Sequence, residues 1–501
     1  MSTALPFQFL VTSLLLFLGI IYRARTGGRP PGLPPGPPGL PFLGNALQLP
    51  SKDAYKTFTK WGKQYGPIVA VKVFSQSLII INSVKLAADL LNKSSSSTSF
   101  RITRRMVQLS GFDRSIPHLQ PTTEFNKSRQ YTKMALGAIE MTQYEPEHQR
   151  RALRLVIKLA QNPKNIYNEI GVWVALGFEH IAYGTDDEED ASGFVEMGRH
   201  ALAIFTAASD PMIVWAVDVL PFLRHFPSWL PGMSFKRKAR EWKRVLRDIL
   251  NKPFHHAVRK INAGLTSQCL ISRVAESHSL DSLDEDDLVI LKNAAMNIYI
   301  GGFDTMTSIV ASFYLAMVLH PEAQTRGQQE VDSVTGRSRL PTFADRPNLP
   351  YVDCIMKEVM RWAIPTPFLF PHVQDPTSDA MVDGVFVPRG SLLIVNTGGI
   401  FEDPKIYANP LQFWPERFHD KNLLDPLSIA FGYARRQCTG IHFVEKRLWI
   451  TIATTLATLN ICPPTENNSR MPKAEWTDGP VRLPLTYDAK FNVRTPALLE
   501  T

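Results

Sequence analysis

Apolar residues run without a charge from Ala4 to Tyr22, broken only by Gln8, Thr12 and Ser13 among the polar types. In a helix rising 1.5 Å per residue, such a run nearly covers the ~30 Å hydrocarbon core of a bilayer, which predicts one membrane span. Arg23, Arg25 and Arg29 follow the run instead of preceding it. That order predicts a retained anchor with its downstream side in the cytoplasm, not a cleaved leader. The stretch "RPPGLPPGPPGLP" over 29–41 excludes helix and predicts stiff polyproline extension, a spacer between bilayer and globular body. Two β-branched runs, "PIVAVKVF" and "SLIIIN", then predict strands, and a serine-rich loop is expected at 94–99. Helical periodicity dominates the rest, so the expected class is mainly α with a small β-region. With no internal repeat and no second linker, the expected division is an anchor over 1–28 (span about 4–22), a hinge over 29–41 and one globular domain over 42–501.

The longest helical pattern opens at "SLDE", where Ser282 and Glu285 have capping-box spacing, and runs without proline to His320. Its middle holds Gly301, Gly302, Asp304 and Thr305. Two interior glycines cost on the order of 1 kcal/mol each relative to alanine. A bulky planar ligand against the backbone or a close helix crossing would account for them, and the sequence favours neither. Between Pro211 and Met233 the chain is apolar, aromatic and proline-broken; it reads either as a buried loop or as a segment dipping into a membrane interface.

A chain of 501 residues with 44% hydrophobic content can bury a large core. The net charge of +9 suits an anionic membrane surface or an acidic protein partner. No basic run with interleaved aromatics points to nucleic acid. Four scattered cysteines, Cys269, Cys354, Cys438 and Cys462, give neither a disulfide framework nor a structural zinc pattern.

Glu358 and Arg361 share one helix face, but the same spacing recurs at Glu147 and Arg150, at Glu196 and Arg199, and at Glu241 and Arg244, as in ordinary surface pairs. Only the 358 pair is followed by "PERF", whose Arg417 adds a second guanidinium; a carboxylate between two guanidiniums can form a buried bidentate network. These three residues read as structural, locking the later cysteine loop. In that loop, "FGYARRQCTG", Cys438 precedes a helix pattern, where a helix start lowers a thiol pKa. An inert thiol, a nucleophile and an iron ligand are all compatible with that position. No nearby His or Asp supports acyl transfer.

In order, the anchor, the proline-rich hinge, "GGFDT", "EVMR", "PERF" and "FGYARRQCTG" resemble the motifs of the cytochrome P-450 family across almost the whole chain. The segment "FPSWLPGMSFKRKAREW" is similar to fungal members of secondary metabolism. The resemblance implies a single-domain heme-thiolate fold behind the transmembrane helix. Heme b iron would be held by Cys438, with Phe431 near the sulfur, Arg436 at an acidic group of the cofactor and Gly440 allowing close approach. Asp304 and Thr305 would be the oxygen-activating pair. Arg129 and His372 match positions that contact the heme propionates, and Gly301, Phe303, Phe368 and Leu369 would line the pocket of a lipophilic substrate. Electrons would come from NADPH through a separate membrane-bound reductase carrying FAD and FMN. The expected activity is monooxygenation of a terpenoid or aromatic scaffold, at the endoplasmic reticulum membrane with the catalytic domain on its cytoplasmic face.

The chain departs from the family pattern at several points. Ala434 stands where glycine is usual, Thr439 follows the cysteine, Phe125 replaces the tryptophan that precedes Arg129, and "GGFDT" has glycine where alanine is commoner. Alanine at a position needing positive φ would add strain of order 1 kcal/mol. Two other activities are compatible with a heme-thiolate fold: a redox-independent isomerase or dehydratase, which would not need Asp304 and Thr305, and a sensor, which would need an output domain that the sequence lacks.

Overall fold

The computed structural model describes residues 31–50, 52–185, 188–210, 213–265, 268–464 and 471–499. The span at 4–22 and the first two hinge residues lie outside them. The chain forms two compact units.

The first unit takes Met1–Phe100 and Phe370–Asn396. It contains helix α1 (Ala54–Tyr65) and strands β1 (Ile68–Val73), β2 (Gln76–Ile81), β3 (His372–Val373), β4 (Ala380–Val382), β5 (Val385–Val387) and β6 (Leu392–Val395). The main sheet has the order β1-β2-β6-β3, with β2 and β6 parallel and in register from Leu78 opposite Leu392 to Ile81 opposite Val395. Leu78–Ile81 and all of β6 are buried, the near-continuous apolar pattern of strands covered on both faces. Just past β6, the Asn396 side-chain amide donates to Tyr55 O, Thr59 Oγ1 and Asn82 Oδ1, tying α1 to the sheet.

Two sequence expectations change in this unit. The described part of the proline-rich run is docked instead of standing free. Ala70 N donates to Pro35 O (3.0 Å) and Phe386 N to Gly32 O (2.9 Å), and a Cβ on Gly36 would lie 2.1 Å from Ala70 O. The serine-rich stretch is helical over Ser95–Thr98, because Ser97, Thr98 and Ser99 turn their hydroxyls back onto carbonyls one turn earlier.

The second unit takes Arg101–Leu369 and Thr397–Thr501. Its main helices are α2 (Thr123–Leu136), α3 (Glu145–Gln161), α4 (Ile166–Tyr183), α5 (Glu188–Ser209), α6 (Ser234–Asn262), α7 (Glu285–Leu319), α8 (Pro321–Thr335), α9 (Pro350–Ala363) and α10 (Ile441–Thr458), with an antiparallel pair β7 (Leu459–Cys462) and β8 (Lys490–Val493). Helix α7 has 35 residues, about 53 Å at the standard rise. It is long and apolar enough to cross a membrane, yet 78% of its most apolar window is buried in the protein, as in a core helix. Its cap is Asp284, which accepts from Asp287 N at 2.7 Å, whereas the expected cap, Ser282, sits in a preceding 3-10 turn. Acids at 285–287 fill the first turn, where the helix dipole favours negative charge.

The stretch expected either as a buried loop or as an interfacial segment is exposed on its outer side at Val214, Val219, Leu220, Phe222, Phe226 and Trp229. It is held from within. Arg104 forms a largely buried ion pair with Asp218 at 2.9 Å, and its Nη1 donates to Asp210 O at 2.5 Å. Asp218 also accepts from Met106 N at 2.9 Å.

The two central glycines of α7 have different surroundings. A Cβ on Gly302 would lie 2.0 Å from Cζ of Phe178 on α4, whose ring is itself tilted against Phe443 of α10 with centroids 4.5 Å apart, while a Cβ on Gly301 would meet nothing within 4 Å. Gly302→Ala should therefore lose stability despite the better helix former, because overpacking of about 1–3 kcal/mol exceeds the gain of about 1 kcal/mol. Gly301→Ala should melt at or above the wild-type temperature. Thermal unfolding of both variants checks this; equal melting temperatures would refute the asymmetry.

Candidate functional site

The cysteine loop is built from short-range backbone bonds. Gly432 N donates to Ile429 O, Arg436 N to Tyr433 O, Gln437 N to Ala434 O, and Cys438 N closes the loop onto Phe431 O at 2.7 Å. The turn needs positive φ at Gly432 (79°) and at Ala434 (43°), so the alanine departure falls on a left-handed position. Gly440 caps α10 and donates its N–H to Cys438 Sγ at 3.3 Å.

Cys438 is exposed as a residue, with protein crowded closely enough around it to desolvate the charged form of its thiol. That crowding raises the thiol pKa, against the lowering effects of the Gly440 N–H and Arg129. The expectation of a thiolate favoured by the helix start is thus corrected. Cys438 lies two residues before the cap, where one N–H reaches it and burial outweighs the dipole. Only a cation at the sulfur would reverse the balance, since a coordinating thiol is deprotonated outright.

Beside the loop, like charges gather. Arg436 donates to Leu119 O at 2.7 Å and lies 3.9 Å over the Phe125 ring, the residue in place of the usual tryptophan. Burial, then Arg129, lowers its pKa to about 10. Arg129 donates to Gln437 O and is itself lowered by burial, with Cys438 opposing. Arg101 is pushed well down by burial and Arg436, and His118 is pushed down to about 3 by burial and by Arg101, Arg104 and Arg436. A carboxylate entering this group would relieve both the desolvation and the repulsion. Sequence reasoning missed Arg101 and His118, which carry no motif and reach the group only through the fold.

On α7, Gly301, Asp304 and Thr305 share one face by their i, i+3, i+4 spacing. Gly301 is exposed and the other two half-buried, in the middle of a helix otherwise largely buried. Thr305 Oγ1 bonds back to Gly302 O at 3.2 Å. Burial raises the Asp304 pKa, and Arg199 of α5 acts against it. Arg199 also lies 5.7 Å over the Phe303 ring, so its spacing from Glu196 does not make it an ordinary surface pair. Phe303, expected in the pocket wall, is instead buried against Tyr299 and Arg199, because it sits on another side of the helix from Gly301. Leu369 is buried and Phe368 half-buried at the end of a segment held by Gly398 N on Pro367 O. His372 belongs to the first unit, where its Nδ1 lies 3.0 Å from Thr98 O.

Glu358, Arg361 and Arg417 come together, fully or almost fully buried. Arg361 meets the carboxylate with two bonds (2.7 and 2.8 Å), Arg417 Nε with one, and Trp414 N donates to it at 2.8 Å. The remaining guanidinium donors go to the carbonyls of Phe401, Ala408, Asn409, Pro410 and Gln412. The bonds of this lock therefore hold the 401–414 segment rather than the cysteine loop directly.

The family model described as cytochrome P-450 matches residues 34–491. The chain is 34% identical to cytochrome P-450 monooxygenase 208 of Postia placenta, over 96% of this chain and 94% of that relative. It is 33% identical to the monooxygenase COX1 of Coprinopsis cinerea, over 93% of each chain. Against claR of Ampulloclitocybe clavipes the identity is again 33%, over 98% of this chain and 92% of that one. A zebra fish cytochrome P-450 solved with abiraterone superposes with a TM-score of 0.68 at 20% identity, covering 88% of this chain and 99% of its own, a likeness of fold.

Two substitutions test the geometry. Glu358→Gln leaves two buried guanidiniums facing a neutral amide and should destabilise by about 3–5 kcal/mol. Ala434→Gly should stabilise by about 1 kcal/mol by removing the left-handed penalty. Both are read as shifts in thermal unfolding. A Glu358→Gln protein that melts like wild type would show that the triad is not needed.

Proposed function

The chain belongs to the cytochrome P-450 family and is an oxidoreductase of the monooxygenase type, and from that premise we propose that it hydroxylates or epoxidises a lipophilic small molecule, a terpenoid or aromatic scaffold of fungal secondary metabolism. Family membership implies heme. The residues present fit it: an exposed Cys438 whose thiol is crowded by protein, a cluster of buried cations suited to two carboxylates, and an α7 face left open by Gly301. Heme b, when bound, supplies the activation of dioxygen.

Cys438 is the iron ligand in this reading, and the single observation that carries it is the exposure of this residue at the centre of a loop that otherwise satisfies its own backbone. The Gly440 N–H would moderate charge on the sulfur. Arg129 and Arg436 would hold the propionates, while Phe431 and Gly440 border the ligand. Glu358, Arg361 and Arg417 keep the 401–414 segment in place. Asp304, its pKa raised by burial with Arg199 acting against that, would pass a proton toward the Thr305 hydroxyl, with which it shares a face of α7. Gly301 and Leu369, with Phe368, would border the substrate. Electrons would arrive from NADPH through a separate FAD- and FMN-containing reductase, with the protein held at the endoplasmic reticulum by the span at 4–22 and its catalytic part on the cytoplasmic side.

Cys438→Ala should abolish the shifted absorbance band of the reduced protein with carbon monoxide, and replacing Cys269, Cys354 or Cys462 should preserve it. Thr305→Ala and Asp304→Asn should keep that band. Product should nevertheless fall by roughly 10²-fold, the usual contribution of a positioned proton donor, while NADPH oxidation continues and hydrogen peroxide accumulates. Turnover without NADPH, insensitive to both changes, would instead identify an isomerase.

A further inference from the structure

Helix α10, which follows the cysteine loop, and helix α7, which carries Asp304 and Thr305, are joined by one residue of α4. Gly440 caps α10 and its N–H reaches Cys438 Sγ, while Val444 N donates to Gly440 O at 2.9 Å, so Phe443 stands in the first turn of that helix. Phe443 is fully buried between His148 of α3, edge-on at 5.3 Å, and Phe178 of α4, tilted with centroids 4.5 Å apart. The far end of the same Phe178 ring, Cε1, Cζ and Cε2, fills the space that a Cβ on Gly302 would take. Gly302 O in turn accepts from Thr305 Oγ1 at 3.2 Å. From the helix that follows the sulfur to the threonine hydroxyl, the path is therefore Phe443, Phe178, Gly302 and Thr305, each step a packing contact or a hydrogen bond.

The middle of this path is pinned. Arg447, one turn after Phe443 on α10, is buried, donates from Nη2 to Trp173 O at 2.6 Å and lies 3.9 Å over the Trp173 ring. A Cβ on Gly177 would strike its guanidinium, so α4 has glycine where the cation of α10 enters and, at the next residue, the ring that stops α7. Arg447 also lies 5.4 Å over the Phe443 ring, which keeps that ring at one height. Buried groups packed this closely transmit a displacement instead of absorbing it.

We propose that Phe178 is a positioning residue for the oxidation: it fixes the separation between the first turn of α10 and the Gly302 turn of α7, and through Gly302 O it sets where the Thr305 hydroxyl stands. The inference rests on the heme-thiolate reading above and adds to it a residue that has no polar group and belongs to none of the family motifs. Core packing alone asks only for an apolar side chain of similar volume at 178. Positioning asks for the length of the ring, because the atoms that meet Gly302 are the ones leucine lacks. A misplacement of about 1 Å at a reacting group can cost roughly 10²-fold, so a small change in that length alters function without unfolding the domain.

The test uses the full chain, heme-loaded, as wild type, Phe178→Leu, Gly302→Ala and the double variant Phe178→Leu/Gly302→Ala. Leucine removes the three ring atoms that would meet the new Cβ, so the double variant relieves the clash that Gly302→Ala creates. The first readout is the infrared stretch of carbon monoxide bound to the reduced protein, which responds to electron donation from the sulfur and to polar groups on the opposite side. It should shift or split in each single variant and return to one band near the wild-type position in the double. The second is the share of NADPH electrons leaving as hydrogen peroxide, with reductase present and no substrate added; O2 taken to peroxide consumes one NADPH and O2 taken to two waters consumes two. That share should rise in both single variants and fall back in the double. A carbon monoxide stretch in Phe178→Leu identical to wild type would overturn the proposal and leave Phe178 a packing residue, even if the melting temperature recovers in the double variant. Shifts that simply add in the double variant would overturn it as well, since the two residues would then act independently. A wild type that oxidises no NADPH would fail the monooxygenase reading, and the carbon monoxide stretch would still decide the role of Phe178.

Discussion

The crossing of α7 and α4 at Gly302 is the constraint on which the site depends. Phe178 occupies the space a side chain would need there, so α7 can approach α4 only with glycine at that point. One residue earlier the helix borders open space. Since successive helical residues are turned by about 100°, a single helix can be sealed on one side and open on the next. The closed side fixes the height and rotation of Asp304 and Thr305, and the open side gives them access.

The charges around the cysteine loop follow a different logic from those under α9. In the triad of Glu358, Arg361 and Arg417, a carboxylate and many carbonyls saturate the guanidiniums, which makes the 401–414 segment a rigid floor. Around Arg101, Arg129 and Arg436, burial depresses every guanidinium, and repulsion from a neighbouring arginine adds to it at Arg101 and Arg436. Removing a partner from the first arrangement damages the fold, whereas adding an anion to the second completes it. Glu179 of α4, buried with its pKa raised well up by desolvation so that the neutral acid is favoured, is a further buried ionisable group and lies outside both groups.

Much of this was legible in the residues. The β-branched runs gave strands close to their observed bounds, and the proline-free stretch to His320 gave α7, because both depend on local periodicity. The family motifs identified Cys438, Thr305 and the 358 triad as candidates. What failed depends on contacts between distant parts. The spacing of Ser282 and Glu285 placed the cap two residues early, and Asp284 closes the helix instead. The helix-start argument for a thiolate omitted desolvation, which only the surroundings of Cys438 reveal. Phe303 was expected in the pocket wall from its place on the long helix, but two helical steps from Gly301 turn it toward Arg199. The prolines of the hinge excluded helix over its described residues without indicating that Ala70 would bind it.

The Arg104 fork has a mechanical consequence. One side chain holds Asp218 and the carbonyl of Asp210, while Asp218 also takes the Met106 N–H, so these bonds share two residues and cannot lengthen separately. Movement of the 210–218 segment away from the 104–106 backbone must release them together. The attachment of this segment therefore rests on one side chain: replacing Arg104 removes the ion pair with Asp218 and the bond to Asp210 O in a single step.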